Sequence, residues 1–314
     1  MTDNHLTKGK GVFTAAVCTN RQVKERFYRL GLEFSGAAAE AFAKTKPGQF
    51  AQLDLCGAAL PKNEMIPKDL ADASHRQILL RRPFSFCDVV AKAGKTTAEI
   101  LYRAVGPASM RMTALKTGDS LGIIGPLGNG FFVPPSKKNA ILAAGGMGAG
   151  PLLHLARVLT ASYPSINVIV FVGAKTATEL PFDMHRDEIS KQLGFSLVEF
   201  TKLGIESHLA TDDGSAGFAG LVTDCLAEWI GQNPPSAKDT IIYSCGPEPM
   251  LAKVTQIAKG RNIDCQISME RMMACGIGVC QSCVVECKAG TPDQTIYKLC
   301  CKDGPVFDAK EVIF

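Results

Sequence analysis

The pattern of hydrophobic and polar positions divides the chain at about residue 132. Before that point, short apolar runs of strand length alternate with glycine and proline turns. Many short strands with turn residues between them are typical of an antiparallel barrel or sandwich. We expect strands over residues 11–18, 48–55, 81–90, 97–105 and 120–128. The polar, proline-containing segment 57–76 is expected to be a surface excursion.

Beyond the predicted linker, residues 133–139, strand-like and helix-like patterns alternate. Apolar runs predict strands over residues 140–146, 167–174, 195–200 and 240–246, and the continuous runs are expected to be buried on both faces. Helical periodicity favours helices over residues 151–161, 179–193, 221–231 and 248–260. Alternating strands and helices predict a doubly wound parallel sheet.

We therefore expect a mixed β + α/β fold in three consecutive units. The first is an antiparallel β-barrel over residues 1–135, and the second is the doubly wound α/β domain over residues 136–264. The third unit, residues 265–314, has little helical periodicity and holds 7 of the 12 cysteines. A segment of that composition is expected to be organised by a bound cofactor.

Composition and charge exclude several classes of function. A hydrophobic content of 46% and a charged content of 20% in 314 residues are those of a globular protein. The net charge is only +4 and no basic run with interleaved aromatic residues occurs, so nucleic acid is not an expected partner. The first residues lack the apolar core of a signal peptide, and no stretch is apolar enough for a membrane helix. We expect a cytoplasmic protein, in which clustered cysteines bind metal more often than they form disulfides.

The strongest chemical pattern is a cysteine spacing near the carboxyl end. Cys275, Cys280 and Cys283 form C-x4-C-x2-C, the spacing of plant-type 2Fe–2S ferredoxins. Gly276 and Gly278 allow a tight loop to fold around inorganic sulfide. A zinc site and plain buried cysteines are the alternatives, although zinc sites favour two C-x2-C pairs and only one is present. Further cysteines that could complete the site follow at positions 287, 300 and 301.

A glycine-rich turn, AAGGMGAGP (143–151), follows a predicted buried strand and precedes a helix. The amides around Gly145, Gly146 and Gly148, with the helix dipole, could receive a pyrophosphate. Proline at 151 replaces the third glycine of the G-x-G-x-x-G fingerprint and is acceptable as a first helical residue. We interpret the turn as a dinucleotide site of another lineage, the alternative being a tight turn without a ligand.

Two weaker patterns accompany these. The first is RRPFS (81–85), in which an arginine, an aromatic ring and a hydroxyl lie on one predicted strand, although an edge strand with a proline would look the same. The second is SCGPEPM (244–250), where Cys245, Gly246 and Pro247 end a buried strand at the carboxyl edge of the sheet. Cys245 could contact a nicotinamide ring or could simply be a small buried residue.

Taken in chain order, from the barrel through the nucleotide domain to the cysteine cluster, the four motifs resemble the ferredoxin-reductase superfamily. Arg82, Pro83, Phe84 and Ser85 look like its flavin-binding strand, and GGMGAGP and CGPEPM look like its pyridine-nucleotide motifs. The carboxyl-terminal segments narrow the resemblance to the electron-transfer subunits of two-component, NAD-linked dihydroorotate dehydrogenases. These segments are MERMMACGIGVCQSC (269–283) and YKLCCKDGPVFDAKEV (297–312), together with residues 124–131 and 211–220.

The resemblance covers nearly the whole chain and implies three cofactors: FAD in the barrel, NAD(H) in the second domain and a 2Fe–2S cluster in the third. It implies that Leu101, Tyr102 and Arg103 also contact FAD, with Ala108 and Ser109 standing where the family usually has Gly-Thr. It selects Cys301, immediately before the x-DGPVF segment, as the fourth cluster ligand. Cys287 and Cys300 remain alternatives.

The resemblance also implies a partner, an FMN-containing catalytic subunit that oxidises dihydroorotate, in a heterotetramer of two copies of each chain. Electrons would then flow from dihydroorotate through FMN, the cluster and FAD to NAD, and no general acid or base is expected. Two alternatives stay open: a related flavin and iron–sulfur subunit that serves ferredoxin, sulfur compounds or an oxygenase, and a nucleotide-sensing or zinc-stabilised binding protein. Lys175 alone does not decide between NAD and NADP.

Overall fold

Two seven-stranded sheets form the framework of the chain in a computed structural model, which describes residues 11–186, 195–290 and 294–314. The first sheet is antiparallel, with strand order β4-β3-β7-β1-β2-β6-β5. Its strands are β1 (Gly11–Lys24), β2 (Phe27–Ser35), β3 (Phe50–Leu53), β4 (Arg82–Ser85), β5 (Asp88–Lys92), β6 (Lys95–Arg103) and β7 (Ser120–Leu127). The helices between them are α1 (Gly36–Phe42), α2 (Ala71–Ser74) and α3 (Pro107–Met112).

The inner face of this sheet encloses a core of aliphatic and aromatic side chains, so the sheet is a half-barrel. In β1, Ala15 and Val17 are buried and the residue between them is exposed, as the period of two in a strand requires. Phe42 of α1 stacks on Phe34 with ring centroids 3.9 Å apart, which closes one end of the core. Strand β2 was not predicted from the sequence.

The remainder of the chain contains eleven further strands and four helices within the described residues. The strands are β8 (Asn139–Gly145), β9 (Asn167–Ala174), β10 (Met184–Arg186), β11 (Phe195–Leu197), β12 (Glu206–Thr211), β13 (Phe218–Ala219), β14 (Thr240–Cys245), β15 (Asp264–Ser268), β16 (Val284–Lys288), β17 (Thr295–Leu299) and β18 (Val306–Asp308). The helices are α4 (Ala149–Ser162), α5 (Val198–Thr201), α6 (Val222–Gln232) and α7 (Glu248–Gly260).

The second sheet has the order β13-β12-β9-β8-β14-β15-β18, and all neighbouring strands except β18 are parallel. The chain runs outward from β8 to one edge and then returns to place β14 on the other side of β8. This reversal creates a topological switch point between the carboxyl ends of β8 and β14, the position at which open α/β sheets bind ligands. The predicted doubly wound sheet is thereby confirmed.

Two local predictions in this domain are wrong. The helix expected over 179–193 is replaced at Met184–Arg186 by strand β10, and residues 187–194 lie outside the described part of the chain. The strand expected over 195–200 ends at Leu197 and continues as the helical turn α5. Leu197 and Phe200 are both fully buried three residues apart, a spacing that a helical turn brings to one side.

The carboxyl-terminal segment is integrated with both sheets. Strand β15 belongs to the parallel sheet, so the expected boundary between residues 264 and 265 lies inside a strand, and β18 extends the same sheet. Between them lie the cysteine-containing loop and the antiparallel ribbon β16–β17. The buried cysteines of this carboxyl-terminal segment share a core with Phe50 and Leu127 of the half-barrel. No helix in the described part of the chain is long and apolar enough to cross a membrane.

Candidate functional site

A cleft of about 540 Å³ lies at the switch point of the parallel sheet and is lined by both domains. Phe27 and Arg103 come from the half-barrel, and the turn residues Gly145 and Gly146 come from the end of β8. The opposite side is formed by the end of β9, the start of α6 and the start of α7. A ligand in this cleft would therefore contact the half-barrel and the nucleotide domain at once.

The glycines of the 143–151 motif allow two turns to pack against each other. A Cβ atom at Gly148 would lie 2.1 Å from the carbonyl oxygen of Cys245, and one at Gly145 would lie 2.6 Å from Met250 Sδ. Gly146 instead has φ +53° and open space where its Cβ would be, on the side of the cleft. Helix α4 begins at Ala149, so Pro151 is its third residue, still within the first turn where its missing N–H is tolerated.

Charged side chains of both signs surround the cleft. Arg103 Nη2 lies 2.7 Å from Glu179 Oε1, and the Arg103 guanidinium is 5.3 Å from the centroid of the Phe27 ring. Lys175 at the end of β9 and Lys253 on α7 also line the cleft and could neutralise phosphate charge. Asp212 and Asp224, the remaining charged lining residues, follow β12 and lie in the first turn of α6.

Cys245 ends β14 beside this cleft but is not among the residues that line it, whereas Pro247 is. Burial raises the pKa of its thiol to about 12, with a hydrogen bond to Ser268 opposing the shift. The thiol is therefore protonated at neutral pH. In this geometry Cys245 and Gly246 serve as the surface on which the 145–148 turn packs.

The RPFS segment forms strand β4, at the edge of the half-barrel next to β3. Pro83 lies opposite Gln52 and Ser85 lies opposite Phe50, so these residues share the outer face of the sheet. Arg82 and Phe84 share the inner face, where Phe84 packs against the barrel core. The Arg82 guanidinium donates to the carbonyl oxygens of residues 80 and 81, at 2.8 and 3.2 Å.

Along β6, the side chains of the second predicted flavin segment, residues 101–103, alternate between the inner and outer faces of the sheet. Tyr102 is 1% exposed inside the barrel, where its ring stacks on Tyr28 and its hydroxyl donates to Asn20 Oδ1 at 3.1 Å. Leu101 is buried against the start of α4, where it approaches Gly150. Of the three predicted residues, only Arg103 lines the cleft.

The third predicted flavin segment, Ala108 and Ser109, lies in the first turn of α3 and is buried. The Ser109 hydroxyl accepts hydrogen bonds from the backbone N–H groups of Val105 and Gly106, at 2.9 and 3.1 Å. The hydroxyl thus fixes the loop that enters the helix. Gly106, in extended conformation, has open space beside it.

The cysteine loop arranges its sulfur atoms in two adjacent pairs. Cys275 Sγ accepts from the N–H groups of Ile277 and Cys280, both at 3.4 Å, and Cys283 Sγ accepts from the N–H of Cys301 at 3.4 Å. Gly276 and Gly278 have φ of +71° and +87°, which permits the tight turn between Cys275 and Cys280. N–H groups directed at sulfur are the arrangement that stabilises thiolate ligands.

The four sulfurs lie in different environments. Cys283 and Cys301 are buried, Cys280 is exposed, and burial raises the pKa of Cys301 to about 12. A hydrogen bond from Ser282 lowers the pKa of Cys280 to about 6. Among the described residues, no three His, Cys, Asp or Glu side chains converge closely enough to hold a single metal ion. A 2Fe–2S cluster is bound by four thiolates over two iron atoms, and two pairs of cysteines suit that donor set.

The two alternative ligands are engaged elsewhere. Cys300 is fully buried and its Sγ donates to the carbonyl oxygen of Met269 at 3.3 Å, and burial raises its pKa to about 12. Cys287 is also fully buried. It lies on β16, opposite Ile296 of β17 and outside the cysteine loop. Both behave as packing residues of the core that the loop shares with the half-barrel.

Comparison with known proteins agrees with this geometry. Residues 270–313 match the family model for the iron–sulfur cluster binding domain of dihydroorotate dehydrogenase B, and residues 142–256 match that of the oxidoreductase NAD-binding domain. The electron transfer subunit of dihydroorotate dehydrogenase B (NAD(+)) from Caldanaerobacter subterraneus is 34% identical over 96% of this chain and 98% of that relative. The chain belongs to this family of electron transfer subunits. The corresponding subunit of Geobacillus kaustophilus is 34% identical over 95% of this chain and 96% of its own.

Solved structures show the same fold at lower identity. The NADH-dependent reduced ferredoxin-NADP oxidoreductase is similar with a TM-score of 0.68 at 22% identity, over 96% of this chain and 91% of that one. A ferredoxin NADP+ reductase of Neisseria gonorrhoeae, solved with FAD and NADP, gives a TM-score of 0.53 at 14% identity, over 80% and 91%. The predicted fold class and the function as an electron-transferring oxidoreductase subunit are confirmed. The predicted cofactors agree with these comparisons: the two domain models are for iron–sulfur cluster binding and for NAD binding, and a relative of the same fold was solved with FAD.

Several cleft residues were not identified from the sequence. Phe27 starts strand β2 and Asp212 directly follows strand β12, and both residues line the cleft. They were missed because neither strand was predicted. Met250, the last residue of the SCGPEPM segment, and Lys253 lie three residues apart on the helix predicted over 248–260. Their spacing of three residues, on the helix that follows β14, is a sequence signal that could have identified them.

Proposed function

We propose that the chain carries electrons between a partner subunit's FMN and NAD, through a 2Fe–2S cluster at the cysteine loop and an FAD on the half-barrel. The observation that carries this proposal is that Cys283 and Cys301 share a core with Phe50 of β3, the strand that pairs with the RPFS strand β4. When bound, the cofactors supply hydride exchange at the nicotinamide and single-electron exchange at the cluster. The chain's own residues bind, orient and shield them.

For NAD(H), we assign the cleft at the switch point. Gly146, with open space beside it, leaves room for a pyrophosphate at the start of α4, while Gly145 and Gly148 let the turn pack closely against Met250 and Cys245. Pro247 also lines this cleft. Lys175 and Lys253 place positive charge beside it. Cys245 and Gly246 support this turn from behind, so their proposed role is to position the turn.

For FAD, we assign the outer face and edge of the half-barrel. Pro83 and Ser85 lie on that face, and Arg82 and Phe84 belong to the same edge strand with their side chains on the inner face. Ser109 holds the loop before α3, where the open space at Gly106 allows a phosphate to approach backbone amides. Arg103 lies at the cleft, where flavin and nicotinamide would meet, while Leu101, Tyr102 and Ala108 support this strand and helix from within.

For the cluster, we assign Cys275 and Cys280 to one iron and Cys283 and Cys301 to the other, following the two hydrogen-bonded pairs. Cys283 and Cys301 are buried in the core shared with the half-barrel and Cys280 is exposed, so a cluster held by these residues would have one end toward the half-barrel and the other toward solvent. The chain thus provides an inner and an outer end for electron transfer.

For the partner, we propose an FMN-containing subunit that oxidises dihydroorotate and docks at the outer end of the cluster loop. Apolar side chains are exposed there: Met272 is 90% exposed, Val279 73% and Ile277 50%. Exposed apolar residues of this kind mark protein interfaces. Electrons would then flow from dihydroorotate through FMN, the cluster and FAD to NAD. A heterotetramer with two copies of each chain is the proposed assembly.

The visible spectrum of anaerobically purified protein, recorded before and after NADH, tests the cofactor assignments. We expect flavin bands on broad cluster absorption, bleaching by NADH, and about two iron and two sulfide per chain. Co-purification with an FMN protein that reduces NAD only in the presence of dihydroorotate would support the partner. Flavin without iron would contradict the cluster assignment. Coupling to ferredoxin, to a sulfur compound or to an oxygenase instead would contradict the dihydroorotate assignment.

A further inference from the structure

Gln52 is a buried polar side chain whose hydrogen bonding is incomplete. It lies on β3, is 0% exposed, and neither its Nε2 nor its Oε1 has a hydrogen-bond partner among the described residues. Burying an amide without partners opposes folding, because its hydrogen bonds to water are lost without replacement. The neighbouring Gln49 shows the usual arrangement, since its Oε1 accepts from Lys46 N–H and its Nε2 donates to the Gly128 carbonyl.

The Gln52 amide is directed at the cysteine loop. A Cβ atom built on Gly276 would lie 2.4 Å from Gln52 Nε2 and 2.6 Å from its Cγ, so only a glycine fits beside this amide. Gly276 immediately follows Cys275, and its φ of +71° turns the loop around this point. The nitrogen of Gln52 is therefore in contact with the turn that links the first two cysteines of the motif.

The residues opposite Gln52 on both neighbouring strands are apolar. They are Pro83 on β4 and Ile124 on β7, and Phe50 is two residues away on the same face. Phe50 and Ile124 belong to the core that contains Cys283 and Cys301. An apolar side chain of similar length would fill this space equally well. The amide therefore has a role that contacts within the protein do not explain.

We propose that Gln52 is a positioning residue for electron transfer, whose Nε2–H group donates a hydrogen bond to a sulfur atom of the 2Fe–2S cluster. The inference rests on the proposed cluster ligands. Reduction adds negative charge to the cluster, so a donor fixed at its sulfur stabilises the reduced form and raises the reduction potential. Gln52 contacts the turn between Cys275 and Cys280 from the half-barrel face that it shares with Pro83, so this donor would lie between the loop and the proposed FAD face and tune the step between cluster and FAD.

The test is a potentiometric titration of the full-length, cofactor-loaded protein, followed by EPR of the reduced cluster and by flavin absorbance. Gln52→Met keeps the length of the side chain and removes both polar atoms. We expect the reduced-to-oxidised ratio of the cluster at a fixed potential to fall about tenfold, which is 59 mV for a one-electron couple. Gln52→Glu should lower this reduced-to-oxidised ratio further, because the substitution replaces the donor by a carboxylate. Gln49→Met, with the same substitution at a partnered amide, should leave the cluster potential unchanged.

A second measurement does not depend on the stability of a Gln52 variant. In protein labelled with 15N at glutamine side chains, with Gln281→Gly to remove the glutamine of the loop itself, pulsed EPR should detect a side-chain nitrogen coupled to the reduced cluster. Absence of this coupling would overturn the proposal. So would a Gln52→Met protein with normal iron content and an unshifted cluster potential, or one in which only the flavin potential shifts. Failure of the proposed cluster assignment is distinct, because the unsubstituted protein would then contain no iron or sulfide.

Discussion

At the scale of single residues, two adjacent cysteines are expected to respond differently to substitution. Cys301 contributes a backbone N–H to Cys283 and places its thiol beside the loop, whereas the Cys300 thiol donates to the Met269 carbonyl inside the core. Cys301→Ser should remove most of the iron and the broad visible absorption. Cys300→Ala should retain the cluster and lower the free energy of unfolding by about 1–2 kcal/mol, as for a small buried side chain. Iron and sulfide assays with urea denaturation check both.

Loss of iron in Cys300→Ala together with normal iron in Cys301→Ser would reverse the assignment of the fourth ligand. The spacing of Cys275, Cys280 and Cys283 is readable from sequence because the ligands are close along the chain. Spacing alone does not choose between the adjacent Cys300 and Cys301, since the choice depends on which thiol the fold turns toward the loop, and only the resemblance at the x-DGPVF segment selected Cys301. Tyr102 shows the same limit: its place in a motif suggested a cofactor contact, but strand alternation directs it into the barrel core.

At the scale of elements, the turn between β8 and α4 is expected to tolerate no side chain at Gly148. A Cβ atom there would lie 2.1 Å from a backbone oxygen of Cys245, which cannot move without disturbing the end of β14. Gly148→Ala should lower the free energy of unfolding by about 2 kcal/mol or more and raise the KM for NADH several-fold. Stopped-flow reduction of the flavin by NADH and urea denaturation measure the two effects.

Gly231→Ala is the matched control, because Gly231 lies in α6 with open space where its Cβ would be. This substitution should stabilise the protein by about 0.5–1 kcal/mol, since alanine loses less conformational entropy in a helix than glycine. An unchanged KM in Gly148→Ala, or an equal rise in Gly231→Ala, would contradict the role of the turn in NADH binding.

Two of the elements that the sequence analysis missed or misassigned have a physical explanation. The long apolar strands β8, β9 and β14 are buried on both faces and have a clear pattern. Strand β12 begins with exposed or half-buried polar residues and is buried only in its second half, so its pattern is that of a loop. At residues 195–200, apolar spacing was compatible with either a strand or a helical turn, and contacts of Leu197 and Phe200 with the nucleotide-domain core decided it.

At the scale of the whole molecule, one buried arginine joins the half-barrel to the nucleotide domain. Arg29 on β2 has a side chain only 6% exposed, and its guanidinium lies 3.0 Å from Glu99 of β6 and 2.7 Å from Glu199 of α5. Because the NADH cleft is lined by residues of both domains, this contact fixes the arrangement in which flavin and nicotinamide would meet. Removing one partner of a buried ion pair leaves the other charges uncompensated.

Arg29→Met is therefore expected to lower the free energy of unfolding by about 3–5 kcal/mol near pH 8. Burial raises the pKa of Glu199 above its ordinary value, and Arg29 opposes that shift. A raised carboxyl pKa in the folded state means that stability is lost as pH rises from the ordinary pKa through the raised one. Without Arg29 the pKa of Glu199 rises further, so the difference between wild type and variant should shrink at about pH 5, by about 1.4 kcal/mol for each further unit of pKa.

Urea denaturation at about pH 5 and about pH 8 measures this difference directly. Lys95→Met is the control, because the Lys95 and Glu33 side chains are 58% and 34% exposed and their ion pair lies within the half-barrel alone. It should cost less than about 1 kcal/mol at either pH. A pH-independent loss in Arg29→Met would show that Arg29 acts through packing, for example against the Phe182 ring 5.8 Å away. A variant as stable as Lys95→Met would mean that the two domains are held together without this ion pair.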